Sequence, residues 1–220
     1  MSNEWRIIGE SGLQFFGTAS ASISHEIKNV LAIINENAGL LEDLTLMADK
    51  GMPLDPERLK KIAGKVLGQI RRADKIIKSM NRLAHSVDEP IKNVDSVEIL
   101  ELIAALSVRF AAKLGVTLKV MPSEGPVNIT TNPFFLENLI WLCLDFAIHA
   151  AGPGKTVELI TENAKKGVRI TFARLEGLAE TQRLEFPSEQ GNALLNALNA
   201  EIGQNAGNGE IILMLPAKTE

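Results

Sequence analysis

The stretch Ile23-Ser24-His25-Glu26-Ile27-Lys28-Asn29-Val30 decides how the first half of the chain folds. Its apolar members Ile23, Ile27 and Val30 are spaced by four and three. The same steps, or sums of them, reach outward to Phe16 on one side and to Ile34, Leu41, Leu44 and Ala48 on the other. That spacing predicts a long amphipathic helix with a near-heptad seam. Gly51-Met52-Pro53-Leu54-Asp55-Pro56 stops it, with glycine past the end and prolines beyond. Asp55 is placed to cap a second helix, and Pro56 suits its first turn. Leu59, Ile62, Val66, Ile70, Ala73, Ile77, Met80, Leu83 and Val87 then repeat the pattern. Two long helices joined by a short turn form an antiparallel hairpin. A hairpin alone leaves much of each stripe in water, so pairing of two copies into a four-helix bundle is expected, and with it a homodimer.

Asp88-Glu89-Pro90 reads as a linker, separating a hairpin over 1–88 from a second domain over 91–220. In that second part, strands are expected over Pro90–Val94, Val116–Val120 and Val127–Thr131. Helices are expected over Ser96–Leu114, with Ser96 as cap, and over Asn132–Ala151. Thr156–Glu162 and Val168–Ala173 suggest a strand hairpin around Lys165-Lys166-Gly167, Glu189–Ile202 a helix, and Glu210–Leu215 a last strand. Strands interleaved with helices make a two-layer α/β sandwich, so the whole chain reads as α+β.

Composition bounds the partners. The chain has 220 residues, 45% of them apolar and 23% charged, with a net charge of −4, which excludes wholesale disorder. The acidic balance, together with the lack of tyrosine, argues against nucleic acid. One cysteine, Cys143, excludes a disulfide framework and reads as buried filler. No run of about 20 uninterrupted apolar residues suggests a membrane span, and no signal peptide opens the chain, so a cytoplasmic protein is expected.

With Ile23 and Ile27 on the seam, His25 points to solvent and Asn29 lies one turn on, on the same side. A lone exposed histidine is an ordinary surface residue. This one has company. A neighbouring carboxylate such as Glu26 can accept the imidazole Nδ1–H and leave Nε2 free as a nucleophile toward phosphorus. An amide at i+4 can orient a water or a phosphoryl oxygen.

His25-Glu26-Ile27-Lys28-Asn29, followed by a leucine-rich helix ending in Leu40-Leu41-Glu42-Asp43-Leu44, resembles the H-box of sensor histidine kinases, in particular their nitrogen-regulation branch. Residues 11–87 resemble that family's dimerisation and histidine-phosphotransfer (DHp) domain. The resemblance implies that His25 accepts phosphate, that Glu26 is its acid/base partner, and that Asn29 supports dephosphorylation of a response regulator. The family usually has proline after this asparagine. Here it is Val30, which implies a straighter helix.

Residues 91–220 resemble the family's GHKL-type ATP-binding domain in the order of elements, but its nucleotide boxes are degenerate. Leu142 and Phe146 stand where asparagines bind magnesium, Arg174 stands where an aspartate reads adenine, and Gln190-Gly191-Asn192-Ala193 keeps one glycine of the phosphate loop. The loop between the last two boxes is short. Asp145 and His149, four apart, read as a hydrogen-bonded or surface pair, since two ligands make a poor metal site. Trp141 reads as a core residue, and Trp5 as loose or packing.

The resemblance implies a two-component phosphorelay protein that passes a phosphoryl group between His25 and receiver-domain aspartates without its own ATP chemistry. It needs no cofactor, because the receiver supplies the magnesium. Alternatives are a response-regulator phosphatase using Glu26 and Asn29, a non-catalytic dimeric scaffold, and a sensor histidine kinase core. Lys60, Lys61, Lys65, Arg71, Arg72, Lys75 and Lys78 make the second helix basic: either a solvated face paired with acids of the first helix, or a surface that steers an acidic receiver.

Overall fold

The computed structural model describes residues 3–152, 154–180 and 186–219. Helix α1 (Asn3–Asp49) is continuous over 47 residues, about 70 Å at 1.5 Å per residue. Gly51 ends the hairpin turn in the left-handed region (φ 82°). Asp55 accepts the Glu57 amide at 2.9 Å and so opens α2 (Pro56–His85).

The chain divides into two compact units, Ser20–Ala84 and Met1–Ala19 with His85–Glu220. The division expected at residue 88 puts the first nineteen residues with the hairpin; they belong instead with the C-terminal unit. The stripe on α1 explains why. Ile8, Ser11, Phe15, Ala19, Ile23, Val30, Asn37 and Leu44 are all buried, in steps of three and four or their sums. Its first third has one set of partners and the rest has another. Phe15 is fully buried and packs on Phe134 and Trp141, each 5.7 Å away between centroids. Ser11 and the fully buried Asn138 exchange hydrogen bonds at 3.1 and 3.3 Å. At Gly12 a Cβ would stand 3.0 Å from the Phe134 ring, so glycine lets helix and ring close. The expected seam position Phe16 is 41% exposed, one residue off the stripe.

In the hairpin unit, Ile23, Val30 and Leu44 of α1 and Ile62 and Leu83 of α2 are buried. The α2 seam runs through the half-buried Val66, Gln69, Ala73 and Ile76. The expected seam residues Ile70 and Ile77 are about half exposed (50% and 49%), and Met80 is also exposed. The seam position at 69 is polar, so the apolar pattern points one residue too far, to 70 and then to 77.

The C-terminal unit carries strands β1 (Lys92–Asp95), β2 (Thr117–Val120), β3 (Asn128–Thr131), β4 (Thr156–Ala164), β5 (Gly167–Ala173), β6 (Glu201–Asn205) and β7 (Glu210–Pro216). Five of them form a sheet in the order β2-β4-β5-β7-β6. The β2–β4 pair is parallel and the others antiparallel, while β1 and β3 pair separately. Helices α3 (Ser96–Lys113) and α4 (Pro133–Ala151) pack on each other and against the sheet, and α5 (Glu189–Ala197) packs on α4. Val157 and Leu159 of β4, Ile170 and Phe172 of β5, and Ile211 and Leu213 of β7 are fully buried. Gly167 closes the β4–β5 hairpin at φ 151°, where a Cβ would meet the Leu215 carbonyl.

Two helix ends differ from expectation. Asp95 caps α3 by accepting the Val97 amide at 2.9 Å, while Ser96 is buried and donates to the Val127 carbonyl. The helix expected over Glu189–Ile202 ends at Ala197, with Asn199 at φ 51°, and Ile202 lies in strand β6. Asn132 caps α4 as its side chain accepts the Phe135 amide. By length and composition α4 is able to cross a membrane, yet 67% of that window is buried inside the protein.

The stripe can be tested at adjacent residues. Phe15→Ala is expected to cost the C-terminal unit about 3–5 kcal/mol, as for other buried aromatic truncations. Phe16→Ala should cost under about 1 kcal/mol. Urea unfolding of the full chain reads both, and equal losses would contradict this register.

Candidate functional site

Two places on the chain hold the residues singled out by sequence. The first is on the hairpin. His25 and Asn29 are exposed, between the buried Ile23 and Val30. A four-residue step advances a helix by roughly one turn, so His25 and Asn29 share a face. Nothing in the backbone breaks at Val30, which sits fully buried inside continuous helix. Glu26 is half-buried. Its carboxylate lies 3.4 Å from the Arg72 guanidinium of α2, an ion pair that contributes at most about 1 kcal/mol at such exposure. His25 is exposed, and its imidazole forms no hydrogen bond among the described residues.

The remaining basic residues of α2 only partly follow expectation. Arg72 pairs with an acid of the first helix, whereas Lys60 and Lys78 pair with Glu57 and Asp74 of their own helix, at 2.7 and 2.9 Å. His85, at the end of α2, meets Asp88 at 2.8 Å.

The second place is a cleft in the C-terminal unit, about 420 Å³, between α4, the start of α5 and β6. It gathers Leu142, Phe146, Gln190 and Gly191, the positions that the resemblance assigns to the first and third nucleotide boxes, while Arg174 is not among its described lining residues. Leu142 and Phe146 line it, and Phe146 stacks on Phe186 at 4.1 Å with planes 19° apart. Gly191 lies in the first turn of α5, where its amide donates to the capping Ser188 hydroxyl at 3.2 Å, and a Cβ would press on Pro187. Arg174 adopts φ 68° and points its guanidinium to Glu158 at 3.5 Å. Gly177 donates to the Ala150 carbonyl at 2.8 Å, so it anchors the loop to the end of α4. The short loop between the last two boxes includes residues 181–185, which lie outside the described residues. So does Pro153 of the turn at Gly152-Pro153-Gly154.

Asp145 and His149 form a hydrogen-bonded pair as expected, through the backbone of Asp145 and not its carboxylate. The His149 Nδ1–H donates to the backbone carbonyl of Asp145 at 2.8 Å, since a carbonyl can only accept. Burial raises the Asp145 carboxyl above its usual value, and the nearby His149 opposes this. Among the described residues no group of three His, Cys, Asp or Glu is placed to hold a metal. Trp141 is half-buried rather than core, with one side on Phe15 and another on the cleft.

Sequence reasoning missed Phe186 and the pairing of Ser11 with Asn138. The Ile8–Phe15 interval of seven was the available signal for the second. Phe186 follows no pattern of its own.

No protein-family model matches the sequence, and no curated protein matches it. Solved structures do. The catalytic domain of histidine kinase ThkA, in a nucleotide-free form, is similar with a TM-score of 0.49 and 10% identity, over 60% of this chain and 100% of that one. The Acinetobacter baumannii histidine kinase AdeS gives 0.47 and 13%, over 88% of this chain and 98% of that one. Histidine kinase ThkA in complex with response regulator protein TrrA gives 0.46 and 16%, over 93% of this chain and 63% of that one. These are likenesses of backbone course and assign no residue a role.

Cys143, fully buried on α4, offers a pH test. Burial pushes its thiol from 9.0 up to about 12. Between those values the folded chain keeps a proton that the unfolded chain releases. Its contribution to stability is therefore complete below pH 9 and falls as pH rises toward 12, by up to about 1.4 kcal/mol per pH unit. Cys143→Ala should flatten the loss of denaturation midpoint above pH 9, and an unchanged slope would contradict the assignment.

Proposed function

We propose that the chain is a dimeric histidine phosphotransferase of two-component signalling, with His25 as the group that carries phosphorus. The observation that supports it most is the placement of His25: solvent-facing, between two buried seam residues, with Asn29 one turn on. Nε2 would attack the phosphorus of a receiver aspartyl phosphate. The N–P bond forms as the P–O bond to the aspartate breaks, and the carboxylate leaves with that electron pair. The imidazole keeps its Nδ1–H and carries the positive charge, which Glu26 stabilises once its carboxylate turns from Arg72 toward the ring. The reverse displacement, on a second receiver's aspartate, returns His25 to its neutral form. Magnesium comes with the receiver, so the chain itself supplies only the nucleophile, its orientation and a basic α2 surface.

Transfer of this kind needs no nucleotide. The cleft supports that part of the reading. None of its described lining residues is Lys or Arg, and the stacked Phe146 and Phe186 occupy a wall where a polar, magnesium-binding helix face would be needed. Dimerisation is supported by the exposed stripe Leu67, Ile70, Ile77 and Met80 along one face of α2, apolar surface that a second hairpin would cover.

The full chain is incubated with a radiolabelled phospho-receiver and, separately, with labelled ATP and magnesium. The expected result is label from the receiver only, reduced at least 100-fold by His25→Ala. Label from ATP would make the chain a kinase. Loss of receiver phosphate without labelled chain, abolished by Asn29→Ala, would make it a phosphatase. No effect in either arm would make it a scaffold. In a second measurement, Ile70→Glu with Ile77→Glu should halve the mass seen by light scattering. A monomeric wild type would contradict the dimer.

A further inference from the structure

The cleft that suits a nucleotide poorly has a chemistry of its own. Its volume of about 420 Å³ falls in the range that encloses a small ligand. Its walls are aromatic: Trp141 from α4, and the stacked faces of Phe146 and Phe186. Among its described lining residues Asp145 is the only acid, and none is Lys or Arg. The Asp145 carboxylate is half-buried, and no hydrogen-bond donor reaches it among the described residues. The nearest candidate, His149, gives its Nδ1–H to the backbone carbonyl instead. Burial raises this carboxyl, as expected for a charge drawn from water, and the nearby His149 opposes the rise only in part.

A partly desolvated carboxylate next to aromatic faces attracts a cation in two ways. The charge pair gains strength where water is thinned, and the ring faces attract positive charge. Anions meet the opposite field, and the one imidazole on the lining, His149, already gives its Nδ1–H to a backbone carbonyl. We propose that this cleft binds a small organic cation with a flat apolar body, its charged group set against Asp145 and its body against Phe146, Phe186 and Trp141. The site lies wholly within the C-terminal unit and stands or falls independently of the phosphotransfer reading.

The chain carries its own reporter. It has two tryptophans, and Trp5 is 55% exposed, so Trp5→Phe in the full chain leaves Trp141 as the sole indole. Benzamidine serves as the cationic probe and benzoate, of like shape, as the anionic one. The expected result is a saturable change of Trp141 fluorescence with benzamidine and a rise in melting temperature. Benzoate and Mg-ATP should bind at least tenfold more weakly. Asp145→Asn should weaken benzamidine at least tenfold while keeping the fold, since it removes a poorly solvated charge. Ile202→Phe, which narrows the cleft from β6 without adding an indole, gives the same loss should that variant not fold, and His25→Ala leaves binding unchanged. No saturable change with benzamidine, benzoate binding as tightly, or undiminished affinity in both cleft variants would overturn the proposal.

Discussion

One stripe of residues along α1, repeating every three or four positions, governs what the rest of the chain can do. It is buried at intervals from Ile8 to Leu44. Because Ile23 and Val30 occupy the stripe, His25 and Asn29 must stand outside it. The accessibility of that imidazole is therefore a consequence of packing, held by the burial of its neighbours and not by any bond of its own. The same stripe, at Phe15 and Ser11, closes the C-terminal unit against α4. Continuous helix lets one period meet two different surfaces, since α-helical geometry does not depend on what covers it.

In the C-terminal unit the sheet and the cleft draw on different parts of the core. Its mixed sheet, with Val157, Ile170 and Leu213 at the core, depends on burial and register. On the cleft, Phe146 and Phe186 stack and bury apolar area of their own. Glycines that remain have structural roles: Gly177 bonds to the end of α4, and Gly191 fits under Pro187. Asp145 stands on α4 as a half-buried acid among aromatic walls.

Much of this was legible in the sequence where a strong period met a strong stop. The hairpin, the turn at Gly51, the Asp55 cap, the strand pair around Lys165-Lys166-Gly167 and the buried Cys143 all follow from local rules. The exposure of His25 follows from spacing alone. Errors arose where a polar residue took a buried place, or where two apolar residues stood side by side. Gln69 displaced the reading of α2 by one residue, and the Phe15-Phe16 pair left the choice of face to tertiary contacts. Strand β6 was lost because Glu201–Asn205 is mostly exposed at the sheet edge, without alternation to mark it. The aromatic cleft joins Trp141, Phe146 and Phe186 across some forty residues, a long-range meeting that local patterns do not encode.

The chain holds three histidines, His25, His85 and His149, and all three are exposed, so exposure alone does not choose among them. Tandem mass spectrometry of the full chain after incubation with a phosphorylated receiver, at neutral pH where phosphohistidine survives, maps the phosphoryl group to one imidazole. The account predicts it on His25, with His85 and His149 unmodified. Phosphate on either of the other two, or an unmodified His25 while the receiver loses its label to the chain, would contradict it.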